Sequence, residues 1–208
     1  IVLIDFLRQQ LINKSNRNKY FTFHRKDKEI LFNENGGCIM SAHLGNWELV
    51  LPAMGLNGIK MDTVIKEQRN KSANKYYIKM RTFENINLIW KKGALRELYD
   101  SILNNKYIGL ASDQNAGGKG IRINFFDKSS SFPKGAGLFY NRISCKIFVV
   151  LCILGSDYKY HVYLEEISTN KENKSEDEIV MDITKKYVKI ITKKIKQFPE
   201  QYFWFHKK

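Results

Sequence analysis

The segment GGCIMSAHLGNWELVLPAMG, residues 36–55, places His43 where an apolar strand gives way to a loop, and Glu48 five residues later in the first turn of a helical pattern. An imidazole acting as a general base needs a fixed tautomer and a second nitrogen within reach of the hydroxyl that loses its proton. A carboxylate on the other ring nitrogen fixes that tautomer and stabilises the imidazolium that forms. His43 with Glu48 as its orienting carboxylate therefore reads as the base half of a triad. The nucleophile need not belong to the protein, because the hydroxyl of an acceptor substrate can take the place of the serine. Gly45 and Asn46 lie between the two, with Asn46 a suitable cap for the helix carrying Glu48. Taken alone, H-x-x-x-x-E is a weak signal, since a lone histidine near a strand end more often serves the structure.

The elements that must position these residues are legible as apolar runs. CIMSA (38–42), DTVIK (62–66), INLIW (86–90), YIGLA (107–111), IRINFF (121–126), KIFVVLCIL (146–154) and YHVYLEEI (160–167) have strand length, and helix-periodic segments separate the earlier ones: Trp47–Met54, Ala73–Phe83 and Ala94–Leu103. The alternation predicts an α/β fold, one domain with a central mixed, mainly parallel sheet flanked by helices. Ligands in open α/β sheets gather at the carboxyl ends of strands, where His43 stands. Ser175-x-x-Glu178 is a capping box that should open the C-terminal helix. Through residue 198 that helix sets Ile183, Tyr187, Ile190, Ile191, Ile195 and Phe198 on one side, and Lys185, Lys186, Lys189, Lys193 and Lys196 largely elsewhere. Those lysines read either as a solvated face or as a surface for lipid head groups or phosphates. The opening IVLIDFLRQQLI spaces Ile4, Leu7 and Leu11 helically and suits an amphipathic helix, packed on its own domain or lying on a membrane interface.

Composition narrows the function classes. With 43% hydrophobic and 13% aromatic residues the chain should fold. Lys+Arg 35 against Asp+Glu 21 gives +14, which attracts a polyanion: nucleic acid, anionic lipid or an acidic protein. No zinc-finger spacing, heptad-plus-basic region or RRM-type aromatic signature is present, so no nucleic acid partner is expected. Cys38, Cys145 and Cys152 are odd in number and form no C-x-x-C, which suggests neither a disulfide framework nor a metal site. The longest apolar run, the eight residues at 147–154, falls well short of the roughly 18 that a spanning helix needs. The stretch at 117–120 lacks the residues of a P-loop and the spacing of a dinucleotide fingerprint, so no cofactor is expected.

H-L-G-N-W-E-L after a strand resembles the H-x-G-N-W-E block of the lipid A late acyltransferases, the lauroyl and myristoyl transferase family, within the broader H-x-x-x-x-D/E acyltransferases. The resemblance continues in order. VIKEQRNKSANKYYIKMR (64–81) matches the stretch whose arginine, here Arg81, closes a helix. YIGLASDQNAGGKGIRINFF (107–126) is similar to the strand, aspartate and paired phenylalanines of the family and puts its functional aspartate at Asp113. FPKGAGLFYNRISCKIFVV (132–150) resembles the helix and strand that follow, and PEQYFWFHKK (199–208) the closing P-E-Q-Y-x-W-x-H block. The chain departs from the family at Asp127, where Gly is common, and at Lys207 and Lys208, where Arg is common. The resemblance implies a glycerolipid acyltransferase-like fold over 1–208, lacking part of an N-terminal membrane-anchoring helix. It also implies transfer of a fatty acyl chain from an acyl carrier protein thioester to a hydroxyl of a lipid A precursor, on the cytoplasmic face of the inner membrane and in contact with its anionic surface. His43 would be the base and Glu48 its orienter; Gly45, Asn46, Arg81 and Asp113 would bind substrate, with Asp113 partnering or supporting Arg81. Two other readings stay open: an acyltransferase for another glycolipid or glycerophospholipid acceptor, and a non-catalytic basic membrane- or nucleic-acid-binding protein.

Overall fold

A strand with apolar side chains on both faces needs cover on both, and IFVVLCIL is such a strand. In the computed structural model, which describes residues 2–205, it lies within a seven-stranded sheet. The strands are β1 (Phe21–Thr22), β2 (Gly37–Ser41), β3 (Met61–Ile65), β4 (Ile86–Trp90), β5 (Tyr107–Ala111), β8 (Ile147–Leu154) and β9 (Tyr160–Ile167), in the order β1-β9-β8-β2-β5-β3-β4. Neighbours pair in parallel except β8 with β9, so the sheet is mixed and mainly parallel, as the alternation predicts. The run at 121–126 does not join it. There β6 (Ile121–Phe125) pairs antiparallel with β7 (Lys128–Phe132) in a separate hairpin. KSSSF has no apolar alternation of its own, and pairing with β6 is what makes it a strand.

Side-chain alternation along β8 divides the core in two. Ile147, Val149, Leu151 and Ile153 face α6 (Ala94–Leu103), α7 (Gly135–Ile143) and α8 (Glu176–Gln197); Phe148, Val150 and Cys152 face α3 (Arg25–Asn33) and α4 (Val50–Gly55). Each large apolar side chain so buried contributes about 1.5–3 kcal/mol. The Ser175 box caps α8 as predicted: Glu178 N donates to Ser175 Oγ (3.3 Å), and Ser175 N donates to the Glu178 carboxylate (2.8 Å). Ile183, Tyr187, Ile191 and Ile195 are fully buried, and the Tyr187 hydroxyl donates to the Ser41 carbonyl at 2.9 Å, pinning α8 to the end of β2.

At the N-terminus, α1 (Val2–Arg8) and a 3-10 turn Gln9–Leu11 pack on the domain. The packed face carries Asp5, Phe6 and Gln9, while Leu3 and the apolar positions that define the helical pattern, Ile4, Leu7 and Leu11, are exposed. Two further helices, α2 (Arg17–Tyr20) and α5 (Lys71–Arg81), complete the set. Among the described residues no helix is long and apolar enough to cross a membrane.

Candidate active site

The register of β2 on β5 builds the centre of the site. Ser41 pairs with Ala111 at the carboxyl ends of these parallel strands, and Ser112 N donates to the Ser41 carbonyl at 2.9 Å. His43 and Asp113 each stand two residues beyond that pair, so residues 70 apart in sequence are side by side. Asp113 Oδ1 lies 2.7 Å from His43 Nδ1, and Oδ2 accepts the His43 backbone N–H at 3.0 Å. The Asp113 side chain is fully buried and that of His43 is 11% exposed. With Nδ1–H donated to Asp113, Nε2 is the acceptor nitrogen, and the Gln114 amide nitrogen lies 3.4 Å from it. This is the orientation a general base requires.

The carboxylate that orients His43 is therefore Asp113 and not Glu48. Glu48 stands on a 3-10 turn, Trp47–Leu49, with its carboxylate toward the last turn of α5. There Arg81 grips it with a two-pronged fork, Nε to Oε2 at 2.9 Å and a terminal nitrogen to Oε1 at 2.6 Å. Partial burial works against the Arg81 charge, but the hydrogen bonds and charge of Glu48 outweigh it and raise the guanidinium pKa. The expected pairing of Arg81 with Asp113 is likewise replaced. Strand order decides both outcomes: β5 lies against β2, whereas Glu48 has already turned away toward α5. Guanidinium contacts with Phe6 (5.8 Å) and Tyr77 (5.2 Å) tie α1 to the same pair.

Gly45 allows the chain to leave β2 in this direction. Its φ is +66°, and a Cβ there would sit 2.0 Å from the Cys152 carbonyl oxygen. Its N–H donates to Gln201 O (2.9 Å) and that of Asn46 to Cys152 O (2.8 Å). Asn46 does not cap the helix as expected; its amide instead donates to Asp5 Oδ2 of α1 at 3.3 Å. Asp127, where the family commonly has Gly, occupies with Phe126 the two-residue turn of the β6–β7 hairpin, both at positive φ (61° and 50°). An aspartate tolerates that conformation, so the departure is confined to a turn.

Two cavities meet at this turn and share Trp47 and Glu48. The smaller, about 430 Å³, is lined by His43, Gln114 and Arg81, by Lys66 and Lys91 just past β3 and β4, and by Gly109 and Met61 deeper along the sheet. The larger, about 1000 Å³, is walled by Gly45, Asn46, Phe6, Tyr77, Leu154, Phe198 and Phe203. Trp47 packs on the imidazole with ring centroids 4.7 Å apart. Phe203 lies 6.5 Å from it and donates its N–H to the His43 carbonyl at 2.9 Å. Gln114, Lys66, Lys91 and Phe203 are site residues that the sequence reading passed over. Lys66 and Lys91 carried a usable signal, being basic residues immediately after strands. His206, Lys207 and Lys208 lie outside the described residues.

The remaining reactive groups are inert. Cys38, Cys145 and Cys152 are buried free thiols. Burial raises all three, Cys145 to about 12, so none is a thiolate near neutrality. Burial, helped by the Asp113 charge, also raises the Tyr187 and Tyr202 phenols and keeps them protonated donors. Among the described residues no cluster of three or more His, Cys, Asp or Glu side chains is placed to hold a metal ion.

No curated protein matches the chain. A model of one protein family, bacterial lipid A biosynthesis acyltransferase, matches it over residues 1–208. A histidine held by a buried aspartate at the end of a parallel sheet suits hydroxyl acylation, and by that match along its whole length the chain belongs to the bacterial lipid A biosynthesis acyltransferase family.

Proposed function

We propose that the chain moves a fatty acyl chain from an acyl carrier protein thioester to a hydroxyl of a lipid A precursor, with His43 as general base and Asp113 as its orienting carboxylate. The observation that carries the proposal is the double hold of Asp113 on His43, on Nδ1 and on the backbone N–H, beside a cavity that also presents cations. Nε2 takes the proton of the acceptor hydroxyl as its oxygen attacks the thioester carbonyl carbon. The C–S bond then breaks, and the leaving thiolate takes that proton back from the imidazolium. No enzyme nucleophile is required.

Lys66, Lys91 and Arg81 suit a phosphate on the acceptor or on the carrier's phosphopantetheine arm. Because Glu48 engages two nitrogens of Arg81, the lysines contribute most of the unneutralised charge there. The apolar cavity beyond Gly45 and Asn46 suits hydrocarbon, and the exposed leucines of α1 suit the anionic cytoplasmic surface of the inner membrane. The acyl thioester supplies the only activated bond, so no cofactor enters this scheme.

The test is mass spectrometry of a lipid A precursor incubated with acyl carrier protein bearing a fatty acyl chain, comparing the parent with His43→Ala and Asp113→Asn in membrane-reconstituted protein. One added acyl mass with the parent and loss of it in both variants, with folding retained, supports the reading. Donor turnover that requires His43 but leaves this acceptor unmodified would direct the assignment to another glycolipid or a glycerophospholipid. No turnover of any thioester would favour a binding protein.

A further inference from the structure

Part of the positive charge of the chain is arranged in a row along the later turns of α8. From Ile183 to Phe198 the sequence holds six lysines and no carboxylate. Lys185, Lys189, Lys193 and Lys196 recur four, four and three residues apart, which aligns them on one helical face, and all four are exposed. Among the described residues none of the four has a carboxylate within ion-pair distance. Asp182, three residues before Lys185, is engaged by Lys174.

These lysines border a shallow, open depression. With Ile123 and Asn124 of β6 they line a groove of about 480 Å³. At 1.5 Å per residue the lysine ladder is about 16 Å long. Both walls lead to the catalytic pair. Upstream, β6 follows the loop bearing Asp113, and Phe125 at its end packs against Tyr202 with ring centroids 6.3 Å apart. Downstream, α8 continues through Pro199–Gln201 to Tyr202, which bridges to Leu44, and to Phe203, which bonds the His43 carbonyl.

We propose that this groove is the docking surface for the acidic carrier protein that delivers the acyl thioester, an acidic helix of the carrier lying along the lysine ladder; the inference rests on the acyl-transfer reading above. Charge complementarity selects this occupant. Uncompensated lysines repel one another, and a row of carboxylates relieves that repulsion while steering encounter. One row of exposed apolar side chains suited to a membrane, Leu3, Ile4, Leu7 and Leu11, is on α1 and the turn after it, away from the lysine ladder in sequence. A single-stranded nucleic acid would call for aromatic stacking, and none of the described residues lining the groove is aromatic.

The test is direct binding of fluorescently labelled holo acyl carrier protein to the full chain, read by anisotropy at low and physiological ionic strength. Replacing Lys185, Lys189, Lys193 and Lys196 together by Glu should weaken binding by roughly tenfold or more. Reversing four exposed lysines elsewhere, Lys19, Lys26, Lys60 and Lys75, makes the same change in net charge and should alter it by less than about threefold. Circular dichroism and thermal unfolding confirm that both variants are folded. Equal weakening by the two sets, unchanged binding by the ladder variant, or a parent that ignores the carrier would each overturn the proposal. In the last case, ladder-dependent adsorption to phosphatidylglycerol vesicles would reassign the groove to lipid. A parent that binds the carrier through the ladder yet transfers no acyl chain would instead refute the acyl-transfer reading and leave the docking surface standing.

Discussion

Two carboxylates stand on opposite sides of one turn and do different work. Asp113 is fully buried and holds His43 with both oxygens, at 2.7 and 3.0 Å. Glu48 is five residues from that histidine in sequence, yet gives both oxygens to Arg81 at 2.6 and 2.9 Å. Sequence proximity favours the second carboxylate as the orienter, and strand adjacency selects the first. The paired ends of two parallel strands, β2 and β5, bring Asp113 and His43 side by side. The Glu48–Arg81 fork instead joins the turn after β2 to α5 and α1, which shapes the cavity in front of the base.

That contrast can be broken at either end. The largest effect expected is on the Asp113 side, where Asp113→Asn or His43→Ala should reduce acyl transfer by about 10²–10⁴-fold with the fold retained, as seen by steady-state turnover. Gly45→Ala acts on the turn that separates the two carboxylates. Its Cβ would fall 2.0 Å from the Cys152 carbonyl in a left-handed conformation, so a loss of about 3 kcal/mol or more is expected in denaturant unfolding, and both pairs should suffer together. Glu48→Gln leaves Arg81 half-buried without its counter-ion and should cost about 1–3 kcal/mol, with a raised KM and a kcat reduced far less than in Asp113→Asn.

The smallest effect sharpens the comparison with a control. Arg142 forks onto Glu176 at 2.8 and 2.9 Å on the surface, the same geometry as Arg81 on Glu48 but in solvent. Hydrogen bonds from Arg142 and Asn141 hold the Glu176 carboxyl at about 2, below the ordinary carboxylate range. A depressed folded-state pKa contributes stability that is present above the unfolded value and lost as pH falls toward 2. Glu176→Gln should therefore lower the neutral-pH midpoint slightly, the pair being exposed, and flatten the acid limb, so that parent and variant converge as pH falls toward 2. An acid limb identical to the parent's would show that the surface fork contributes nothing.

Much of this fold was legible in the sequence. IFVVLCIL, YIGLA and CIMSA announced buried strands, the Ser175 box announced α8, and the ordered motif blocks announced the family. The parts that were hidden depend on pairing rather than pattern. KSSSF becomes a strand only beside β6, and His43 meets Asp113 only because β5 inserts between β2 and β3. Periodicity reports which face of an element is apolar and not which element lies next to it. The same limit explains α1: Ile4, Leu7 and Leu11 follow a helical stripe, yet Phe6 and Gln9 are the residues buried on the domain.

The partner of His43 is the point on which the account turns, and the Nδ1 proton reports it. In ¹⁵N-labelled protein the His43 Nδ1–H should give a downfield proton resonance, assigned by its absence in His43→Ala, that persists in Glu48→Gln and is lost or shifted upfield in Asp113→Asn. Persistence in Asp113→Asn together with loss in Glu48→Gln would contradict the account and return the orienting role to Glu48.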